Sequence, residues 1–510
     1  MAPQPYVIKS LPGIKRDGTR LENGFYVDGQ WCRFQRGLPR KMWGYRRLTN
    51  DLPEISRGLN GYNQDGILYL STGGASKLIQ YLINSAGIAT DAFDRTPAGF
   101  TANNNYLWTF DNQFDQIFGS SYILAHPGKN LNQIDGTDTS NLYLGDVHGT
   151  GALTASTAPA VSGGVISLYP YTFVYGSDGY VAWSVPNKPD DWTNTGSGEA
   201  NITAQKIVAA LPLRAGPGNA PAGLFWSLDS LIRCTFVGGD TIFQFDTLSS
   251  QSSILSSQSV IEYDGIFYWV GVDRFLQFNG VVREIPNQLN QNWFFDNLNY
   301  NQRQKVFAYK VPRFGEIWWC YPRGDATECT HAVIYNVREN TWYDTVLPNS
   351  GRSEGKFVTV YEYPITAGID PVDGTYKLWQ MEYGVDEVDG TKINSVPSYF
   401  QTADISFVAD TGQPKNRSLR CLMIEPDFVQ SGDMTCQISG RANARSPEVV
   451  SDPQTFPDQA NTITPEQQVI FFKEIRREMR FIFSSNVVGG DYQMGQCIAH
   501  IDVGDGTVLG

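Results

Sequence analysis

Short apolar runs separated by polar turns recur along residues 51–390 of the 510-residue chain. Residues 64–84, QDGILYLSTGGASKLIQYLIN, place two apolar runs on either side of a Gly-rich turn, and residues 263–280, YDGIFYWVGVDRFLQFNG, repeat the arrangement. Runs of this kind, rich in β-branched and aromatic residues and bounded by Gly, Asp or Asn, are typical of β-hairpins. The same pattern predicts further hairpins in residues 171–185, 228–246, 316–344 and 374–384.

The spacing of these hairpin units distinguishes between all-β architectures. The units begin roughly every 40 to 55 residues, close to the length of a propeller blade and too long for one hairpin of a sandwich. A radial array of sheets buries their aromatic faces against one another and hides most strand edges. We therefore expect an all-β fold in which residues 51–390 form an irregular β-propeller of six or seven blades. Two or three stacked β-sandwiches are the alternative.

A second arrangement of strands follows the turn-rich segment DEVDGTKINSVPS. In REMRFIFSS, Met479, Phe481 and Phe483 share one face, which is the period of a strand buried mainly on one side. Residues 446–468 are polar and rich in Pro, Asn and Gln, and they predict a long loop. We expect a C-terminal β-sandwich over residues 395–510 with strands in ADISFVAD, RSLRCLMIEPDFV, DMTCQISGR, REMRFIFSS and GQCIAHIDVG.

Composition and charge support strands and limit the function. Aromatic residues make up 13% of the chain and Gly occurs 50 times, which favours strands and turns over helices. The formal net charge of −13 argues against a general nucleic-acid coat, because such a surface needs a broad basic field. An acidic wall can still face DNA, since like charges keep the duplex from adhering. The seven cysteines are odd in number and irregularly spaced, so we expect reduced core thiols rather than disulfides.

The chain shows no targeting or membrane pattern. The segment MAPQPYVIKSLPGIKRDG lacks a basic start followed by an apolar run, so it does not predict a secretory signal. No run approaches the roughly 20 apolar residues that a membrane-spanning helix needs. We expect a protein that is made in a reducing cytoplasm and has no membrane-spanning segment.

No pattern in the sequence predicts catalysis or a bound cofactor. Its four histidines are far apart, and the acidic turns DPVDGT and DEVDGT lack the spacing of a calcium loop. The segment GSDGYVAW resembles the Asp-box turn of sialidase propellers, but its Asp follows the Ser directly. Sequence alone cannot choose a glycosidase pair among 52 acidic residues. We therefore expect no enzymatic activity, no metal and no cofactor. The histidines are His126, His148, His331 and His500.

Three segments carry a resemblance to a known family. Residues 11–48, LPGIKRDGTRLENGFYVDGQWCRFQRGLPRKMWGYRRL, are similar to the start of the tail-hub or nozzle proteins of short-tailed double-stranded DNA bacteriophages, also called packaged-DNA stabilisation proteins. Residues 183–194, WSVPNKPDDWTN, resemble a blade motif of the same proteins, and the C-terminal strands resemble their sandwich. Gln30, Trp31 and Trp43 depart from the family pattern. The matching residues of the first segment are Pro12, Gly13, Thr19, Gly24, Tyr26, Arg33, Phe34, Gly37, Pro39, Gly44 and Tyr45.

The resemblance implies a non-enzymatic virion protein of the phage tail. Its relatives are propeller proteins that form a ring of six below the portal and adaptor rings, where they continue the DNA channel, retain the packaged genome and then let it pass. The implied partners are further copies of the chain, the head-to-tail adaptor or portal complex, and tail fibre or tailspike proteins. Double-stranded DNA would pass without sequence-specific binding. The competing reading is a glycan-binding or glycan-cleaving tail propeller that uses exposed Trp108, Trp192 or Trp342 as sugar platforms.

A basic segment stands out within this acidic chain. Residues 15–47 contain nine Lys or Arg against three acids. We expect residues 1–50 to form a basic N-terminal arm that contacts the adjacent subunit or the adaptor ring, with arginines in forked pairs to carboxylates. The alternatives are an arm that completes a blade of its own chain, and direct binding of DNA. The predicted interface residues are Arg33, Arg36, Arg40, Lys41, Arg46 and Arg47.

Overall fold

The computed structural model describes residues 4–19, 24–48, 50–115, 119–213, 220–349, 351–358, 362–370, 374–405, 418–443, 445–458 and 469–503. Strands make up 53% of the structure and helices 4%, so the predicted all-β class is confirmed. Within these described residues, the helical elements are one α-helix, Gln291–Asn297, and two short 3-10 turns, Ser177–Gly179 and Tyr300–Lys305.

Six antiparallel sheets of four strands follow one another along the chain, and in each the strands pair in sequence order. Sheet 1 is Leu59–Gln64, Ile67–Gly73, Leu78–Ile83 and Ala89–Asp94. Sheet 2 is Leu107–Asp115, Ser120–Gly128, Tyr143–Asp146 and Thr154–Ala155. Sheet 3 is Gly164–Leu168, Tyr171–Tyr175, Tyr180–Trp183 and Gly198–Asn201. Sheet 4 is Ile207–Pro212, Ala222–Ser227, Leu231–Phe236 and Phe243–Ser249. Sheet 5 is Ile261–Tyr263, Ile266–Val270, Phe275–Phe278 and Val282–Glu284. Sheet 6 is Phe307–Val311, Glu316–Tyr321, His331–Asn336 and Thr341–Val346.

Tight Asp-Gly turns join the first two strands of sheets 1 and 5. Asp65 and Gly66 join the first two strands of sheet 1, and both have positive φ, at 53° and 75°. Asp264 and Gly265 repeat this in sheet 5, at 51° and 81°. Two successive positive φ angles give a turn whose twist matches that of the flanking strands, and Asp-Gly is among the pairs that accept it most easily.

Sheet 7 contains a strand from the N-terminal segment. Tyr45–Arg47 lies between Tyr376–Met381, with which it is antiparallel, and Asp386–Asp389, with which it is parallel. Residues 374–384 are therefore one strand and not the predicted hairpin, because the next strand of the sheet comes from more than 300 residues earlier in the chain. Sequence patterning around residue 380 contains no signal for so distant a partner. The order of sheet 7 is Glu354–Phe357, Pro364–Ile369, Tyr376–Met381, Tyr45–Arg47, Asp386–Asp389 and Lys392–Ser395.

The seven sheets contact one another in an order that closes on itself, mostly through their first strands. Sheet 1 contacts sheet 2, sheet 2 contacts sheet 3, sheet 3 contacts sheet 4, sheet 5 contacts sheet 6, sheet 6 contacts sheet 7, and sheet 7 contacts sheet 1. Sheets 4 and 5 are joined by a shared hydrophobic cluster that includes Trp226 and Trp269. Each of the other neighbouring pairs also shares a hydrophobic cluster, so the core is divided among the seven gaps between sheets.

The remaining sheets combine the two ends of the chain. Most of the predicted C-terminal strands are present, and Met479, Phe481 and Phe483 are buried as expected. Within ADISFVAD, residues 406–410 lie outside the described residues. Sheet 8 is Asp28–Gln30, Ser398–Gln401, Glu478–Ser485, Met434–Arg441 and Val449–Val450, with Gln454–Phe456 also on Met434–Arg441. Sheet 9 is Gln4–Val7, Ile498–Val503, Leu419–Glu425 and Ile470–Arg476. Sheet 10 is Phe428–Ser431, Asp491–Met494, Leu38–Lys41 and Cys32–Gln35. Leu11–Ile14 and Phe25–Tyr26 form a parallel pair.

The N-terminal segment is built into the body of the protein and does not form a separate arm. It contributes strands to sheets 7, 8, 9 and 10, and its buried side chains belong to the same hydrophobic cluster as those of sheets 6 and 7 and the C-terminal strands. All seven cysteines are free and buried, which confirms the expectation of core thiols.

Candidate functional site

The basic segment, residues 15–47, places one arginine entirely inside the protein. Arg33 has no exposed surface and lies between two carboxylates. Its Nη1 and Nη2 donate to the two oxygens of Glu382 at 2.8 and 2.5 Å, and its Nε lies 2.9 Å from Oε1 of Glu316. Its guanidinium carbon is 3.8 Å from the centre of the Phe314 ring. The predicted forked pairing therefore occurs, but within one chain.

The two carboxylates keep Arg33 charged despite its burial. Burial alone would lower the pKa of Arg33, but Glu316 and Glu382 raise the pKa above its usual value. Glu316 also accepts hydrogen bonds from Nε1 of Trp318 at 2.8 Å and from the hydroxyl of Tyr343 at 2.7 Å. A buried ion pair needs such additional hydrogen bonds to offset the loss of water around its charges. We call Arg33, Glu316 and Glu382 the Arg33 cluster.

Arg16 forms a second fork that sequence reasoning did not single out. Its Nε and Nη2 donate to the two oxygens of Asp344 at 3.0 Å each, and its Nη1 lies 2.5 Å from Oδ1 of Asp28. Burial raises the pKa of the Asp344 carboxyl, while Arg16 lowers it. Arg16 lies in the same basic stretch as the predicted residues, but nothing in the local pattern marks its partner on sheet 6.

Arg36 lies at the tip of the hairpin between Cys32–Gln35 and Leu38–Lys41. Arg36 and Gly37 both have positive φ, and the Glu339 carboxylate accepts hydrogen bonds from their backbone amides at 2.8 and 3.0 Å. The hairpin tip is thus held against sheet 6 through its backbone. The Arg36 side chain is exposed to solvent.

Arg40 and Lys41 lie on the returning strand of the same hairpin. Nη1 of Arg40 donates to Oε1 of Gln35 at 2.8 Å, and Arg40 is half-buried. Lys41 has no exposed surface, and its Nζ donates to the carbonyl of Gly490 at 2.6 Å. Burial lowers the pKa of both side chains, while Asp386 and Asp491 oppose this effect at Lys41.

Arg46 and Arg47 lie on the strand that joins sheet 7, and both are half-buried. Nε of Arg46 donates to Oε1 of Gln380 at 2.7 Å. Nη1 of Arg47 donates to Oδ1 of Asp389 at 3.1 Å. These contacts lie on either side of the inserted strand and fix it to both neighbours.

The six predicted interface residues therefore fall into two groups. Arg33 and Lys41 have no surface to offer to another subunit in this structure. Arg36 is exposed, and three further residues are partly exposed while already contacting their own chain. An interface on this segment would use the second group, which is Arg36, Arg40, Arg46 and Arg47.

A cavity of about 330 Å³ lies where the first strands of all seven sheets converge. Its walls are largely apolar and aromatic, with Trp108 of sheet 2 and Tyr309 of sheet 6 among them. Two lysines line it, and both have partners: Nζ of Lys310 donates to the carbonyl of Glu262 at 2.8 Å, and Nζ of Lys356 donates to Oδ1 of Asn60 at 3.1 Å. We call this space the axial cavity.

One carboxylate that lines the axial cavity has a hydrogen-bond donor for only one of its two oxygens. Oε1 of Glu354 accepts a hydrogen bond from the Gly355 amide at 3.0 Å, but Oε2 is buried and has no hydrogen-bond partner among the described residues. Oε1 of Gln258, which also lines the cavity, is buried without a partner too. Burial raises the pKa of Glu354 to about 7, although the Gly355 amide, Lys356 and Gln258 favour the charged form.

Two of the three proposed sugar platforms are not exposed. Trp108 and Trp342 are each 2% exposed, with Nε1 donating to the carbonyls of Gly74 at 2.8 Å and Pro286 at 2.9 Å. The expectation that they are surface aromatics is therefore wrong, because they fill the gaps between sheets. Trp192 is half-buried in the connection between the third and fourth strands of sheet 3.

The histidines do not form a common site. Burial lowers the pKa of His126 and of His331 to about 4. Across the described ranges, no group of three or more His, Cys, Asp or Glu side chains could hold a metal ion. None of the helices in the described part of the chain is long and apolar enough to span a membrane.

The chain matches no protein-family model, and no curated protein matches its sequence.

Proposed function

We propose that the chain is a non-enzymatic structural protein of a short phage tail, where six copies of it form a ring around the path of the DNA. The seven sheets would be the blades of a β-propeller, closed by the N-terminal strand in sheet 7, and sheets 8 to 10 would form a sandwich-like unit beside it. The ring would contact the adaptor or portal complex on one side and tail fibre or tailspike proteins on the other. It would retain the genome and then let it pass.

The observation that carries this proposal is the place of the motif residues in the fold. Gly44 lies so close to the backbone of Asp386 that any side chain would overlap it, and Tyr45 and Phe34 are buried between the N-terminal segment and sheets 6 and 7. The segment that resembles tail-hub proteins therefore consists largely of residues that fasten the two ends of the chain to the sheets. A resemblance in such residues supports a shared architecture more than a chance likeness in surface composition would.

The size of the axial cavity limits where DNA could pass. About 330 Å³ is the volume of a small-molecule pocket, whereas the major groove of a DNA duplex alone is about 12 Å wide. A duplex cannot pass through a single chain along this axis. If the protein surrounds DNA, the channel must lie between copies, which supports a ring. The net charge of −13 per chain would let DNA slide along that channel without adhering.

The experiment is electron microscopy of virions that carry this chain, with symmetry imposed only after classification. We expect a ring of copies around the tail axis, below the portal and adaptor. Copies located away from the axis would contradict the proposal. So would a polysaccharide hydrolysis that is abolished by changing one carboxylate.

A further inference from the structure

Four arginines at one end of sheet 6 form a basic surface without ion-paired carboxylates. Arg36 and Arg40 belong to the hairpin of the N-terminal segment, and Arg313 and Arg338 lie in the two turns that join neighbouring strands of sheet 6. Arg36, Arg313 and Arg338 are exposed, and Arg40 is half-buried. Across the described part of the chain, none of the four forms an ion pair with an Asp or a Glu. We call these residues, together with Trp43, the basic patch.

Direct contacts connect the members of the basic patch. The guanidinium carbons of Arg313 and Arg40 lie 4.0 and 5.9 Å from the centre of the Trp43 ring. Nη1 and Nη2 of Arg338 donate to the carbonyls of Arg313 and Pro312 at 2.9 and 2.7 Å. These side chains are therefore held in place before any partner binds, which reduces the conformational entropy that is lost on association.

Glu339 lies at the basic patch but does not neutralise it. It follows Arg338 in the chain, and its carboxylate oxygens accept hydrogen bonds from the backbone amides of Arg36 and Gly37 at 2.8 and 3.0 Å. Among the described residues, it forms no ion pair with an arginine of the patch. The patch therefore retains a positive charge that acidic groups of another molecule can compensate.

The composition of the basic patch favours a protein partner over DNA. Arg and Trp are among the residue types that contribute most often to the binding energy of protein interfaces. The planar guanidinium group matches the two oxygens of a carboxylate, to which it donates in a fork. A DNA duplex is bound through a wide field of basic groups, whereas this patch has four arginines around Glu339. An acidic protein surface is the better match.

Such an acidic surface is present on the chain itself. Residues 130–205 contain seven Asp or Glu and one Lys. They include all of sheet 3 and the last two strands of sheet 2. In the closed order of the sheets, sheets 2 and 3 are each three places from sheet 6, which is the largest separation that seven sheets allow. We call the exposed acids of residues 130–205 the acidic face, and they are Asp135, Asp138, Asp178, Asp190 and Glu199.

We propose that the basic patch of one copy binds the acidic face of the next copy. The inference rests on the ring proposed above and names the two surfaces that would build it. A contact between two different surfaces repeats head to tail, and it closes into a ring when the rotation between copies allows closure. Because the positive and negative charges lie on different sheets, copies with a net charge of −13 can still attract one another at this contact.

Self-association of the full chain in solution measures the contact. Sedimentation velocity at low ionic strength should show species larger than the monomer. Raising the NaCl concentration from about 50 to about 500 mM should weaken the association at least about tenfold, because salt screens charged contacts. A chain that stays monomeric at the lower ionic strength would overturn the contact, and so would an association that is independent of salt. Micrographs that place the copies away from the tail axis would overturn the tail function instead.

Two charge-reversed variants test both surfaces together. Arg36→Glu with Arg313→Glu reverses part of the basic patch, and Asp190→Lys with Glu199→Lys reverses part of the acidic face. Each variant alone should self-associate at least about tenfold more weakly than the parent, because like charges then face each other. An equimolar mixture should regain the affinity of the parent to within about threefold, since every contact between the two variants again joins opposite charges. A mixture that associates as weakly as its components would overturn the pairing of these surfaces.

A matched control separates the position of the charges from their number. Arg233→Glu with Arg283→Glu changes the net charge by the same amount at exposed positions of sheets 4 and 5, and it should self-associate as the parent does. A loss as large as that of Arg36→Glu with Arg313→Glu would mean that net charge alone acts, and it would overturn the proposal.

Fluorescence anisotropy with a short labelled DNA duplex tests the other kind of partner. At the lower ionic strength of the sedimentation assay, the parent chain should not bind the duplex through the basic patch. Binding by the parent that the variant with Arg36→Glu and Arg313→Glu loses would assign the patch to DNA and overturn the proposal.

Discussion

The Arg33 cluster and the axial cavity differ in how their buried charges are compensated. In the Arg33 cluster, one guanidinium serves two carboxylates, and Trp318 and Tyr343 donate two further hydrogen bonds to Glu316. In the axial cavity, Glu354 has a single backbone donor and an oxygen with no partner. We call the first region complete because each of its charged groups is paired with an opposite charge, although Nε of Arg33 lies 2.9 Å from Oε1 of Glu316 without hydrogen-bond geometry. We call the second incomplete because no cation is hydrogen-bonded to Glu354 among the described residues.

This difference separates a buried charge that stabilises the fold from one that opposes folding. A paired and hydrogen-bonded buried charge fixes the geometry of the elements that supply it, and here these elements are the N-terminal hairpin, sheet 6 and the turn that follows Tyr376–Met381 within sheet 7. A buried carboxyl without a cation hydrogen-bonded to it is destabilising when it is charged. The basic segment, the most conspicuous feature of the sequence, mainly holds the fold together, whereas the charge of the less conspicuous Glu354 opposes folding.

The largest expected effect follows from removing the cation of the complete region. Arg33→Ala should destabilise the protein by about 3–5 kcal/mol, because Glu316 and Glu382 are left buried without their partner. The free energy of unfolding from urea titration checks this. Arg36→Ala is the matched control, since the same residue type three positions later is exposed, and it should change stability by less than about 0.5 kcal/mol.

A triple variant tests whether the loss of charge balance explains the instability expected of Arg33→Ala. Arg33→Met combined with Glu316→Gln and Glu382→Gln should recover most of the lost stability, because replacing a whole buried ion network by neutral groups is often nearly neutral. If the triple variant is as unstable as Arg33→Ala, the contribution of Arg33 is its packing on Phe314 and not its charge.

In the incomplete region, removal of the charge should stabilise the protein. A pKa of Glu354 raised from 4.5 to about 7 corresponds to about 3 kcal/mol of unfavourable free energy when the group is charged. The folded state holds the proton more tightly than the unfolded state, so this contribution to stability is lost as the pH rises from 4.5 to 7. Glu354→Gln should therefore be more stable than the parent at pH 8 by up to about 3 kcal/mol and similar to it near pH 4.5. Urea titrations at the two pH values check this, and a difference that does not vary with pH would contradict it.

The next largest effect on stability is expected at Gly44, which lies against the backbone of Asp386. Gly44→Ala should cost about 1–3 kcal/mol, because the new methyl group overlaps the backbone of Asp386 and pushes the N-terminal strand away from sheet 7. Gly24→Ala is the control in the same motif, since its methyl group would meet only Leu11 at an ordinary 3.5 Å. Thermal unfolding of the two variants checks this. Equal midpoints would show that the insertion of the strand tolerates a shift.

The sequence predicted the parts of the fold that depend on neighbouring residues. The hairpins within residues 64–84 and 263–280 and the alternation of Met479, Phe481 and Phe483 are local patterns, and the structure confirms them. Segment 374–384 was misread as a hairpin because the partner of its strand is Tyr45–Arg47. Nothing within a few residues of a strand specifies a partner so far away.

The candidate site was predictable to a similar extent. The sequence predicted that arginines of the basic segment form forked pairs with carboxylates. It did not indicate that Arg33 pairs with Glu316 and Glu382 of its own chain. Whether an arginine is buried depends on which sheet covers it, and that is decided by long-range packing. The axial cavity was not predicted at all, because its lining takes one or a few residues from each of seven strands and Glu354 has no motif around it.

The smallest effect on stability, and the sharpest on assembly, is expected at the exposed hairpin tip. Arg36→Glu should change the free energy of unfolding by less than about 1 kcal/mol, because the Arg36 side chain is exposed and the tip is held by backbone amides on Glu339. If the basic segment also meets a neighbouring subunit, the same change should reduce incorporation into particles that lack this protein, while Arg36→Lys, which keeps the charge, should incorporate as the parent does. Quantitative electrophoresis of purified particles measures incorporation. Normal incorporation of Arg36→Glu would show that Arg36 takes no part in such an interface, and the partly exposed Arg40, Arg46 and Arg47 would be left as its candidates.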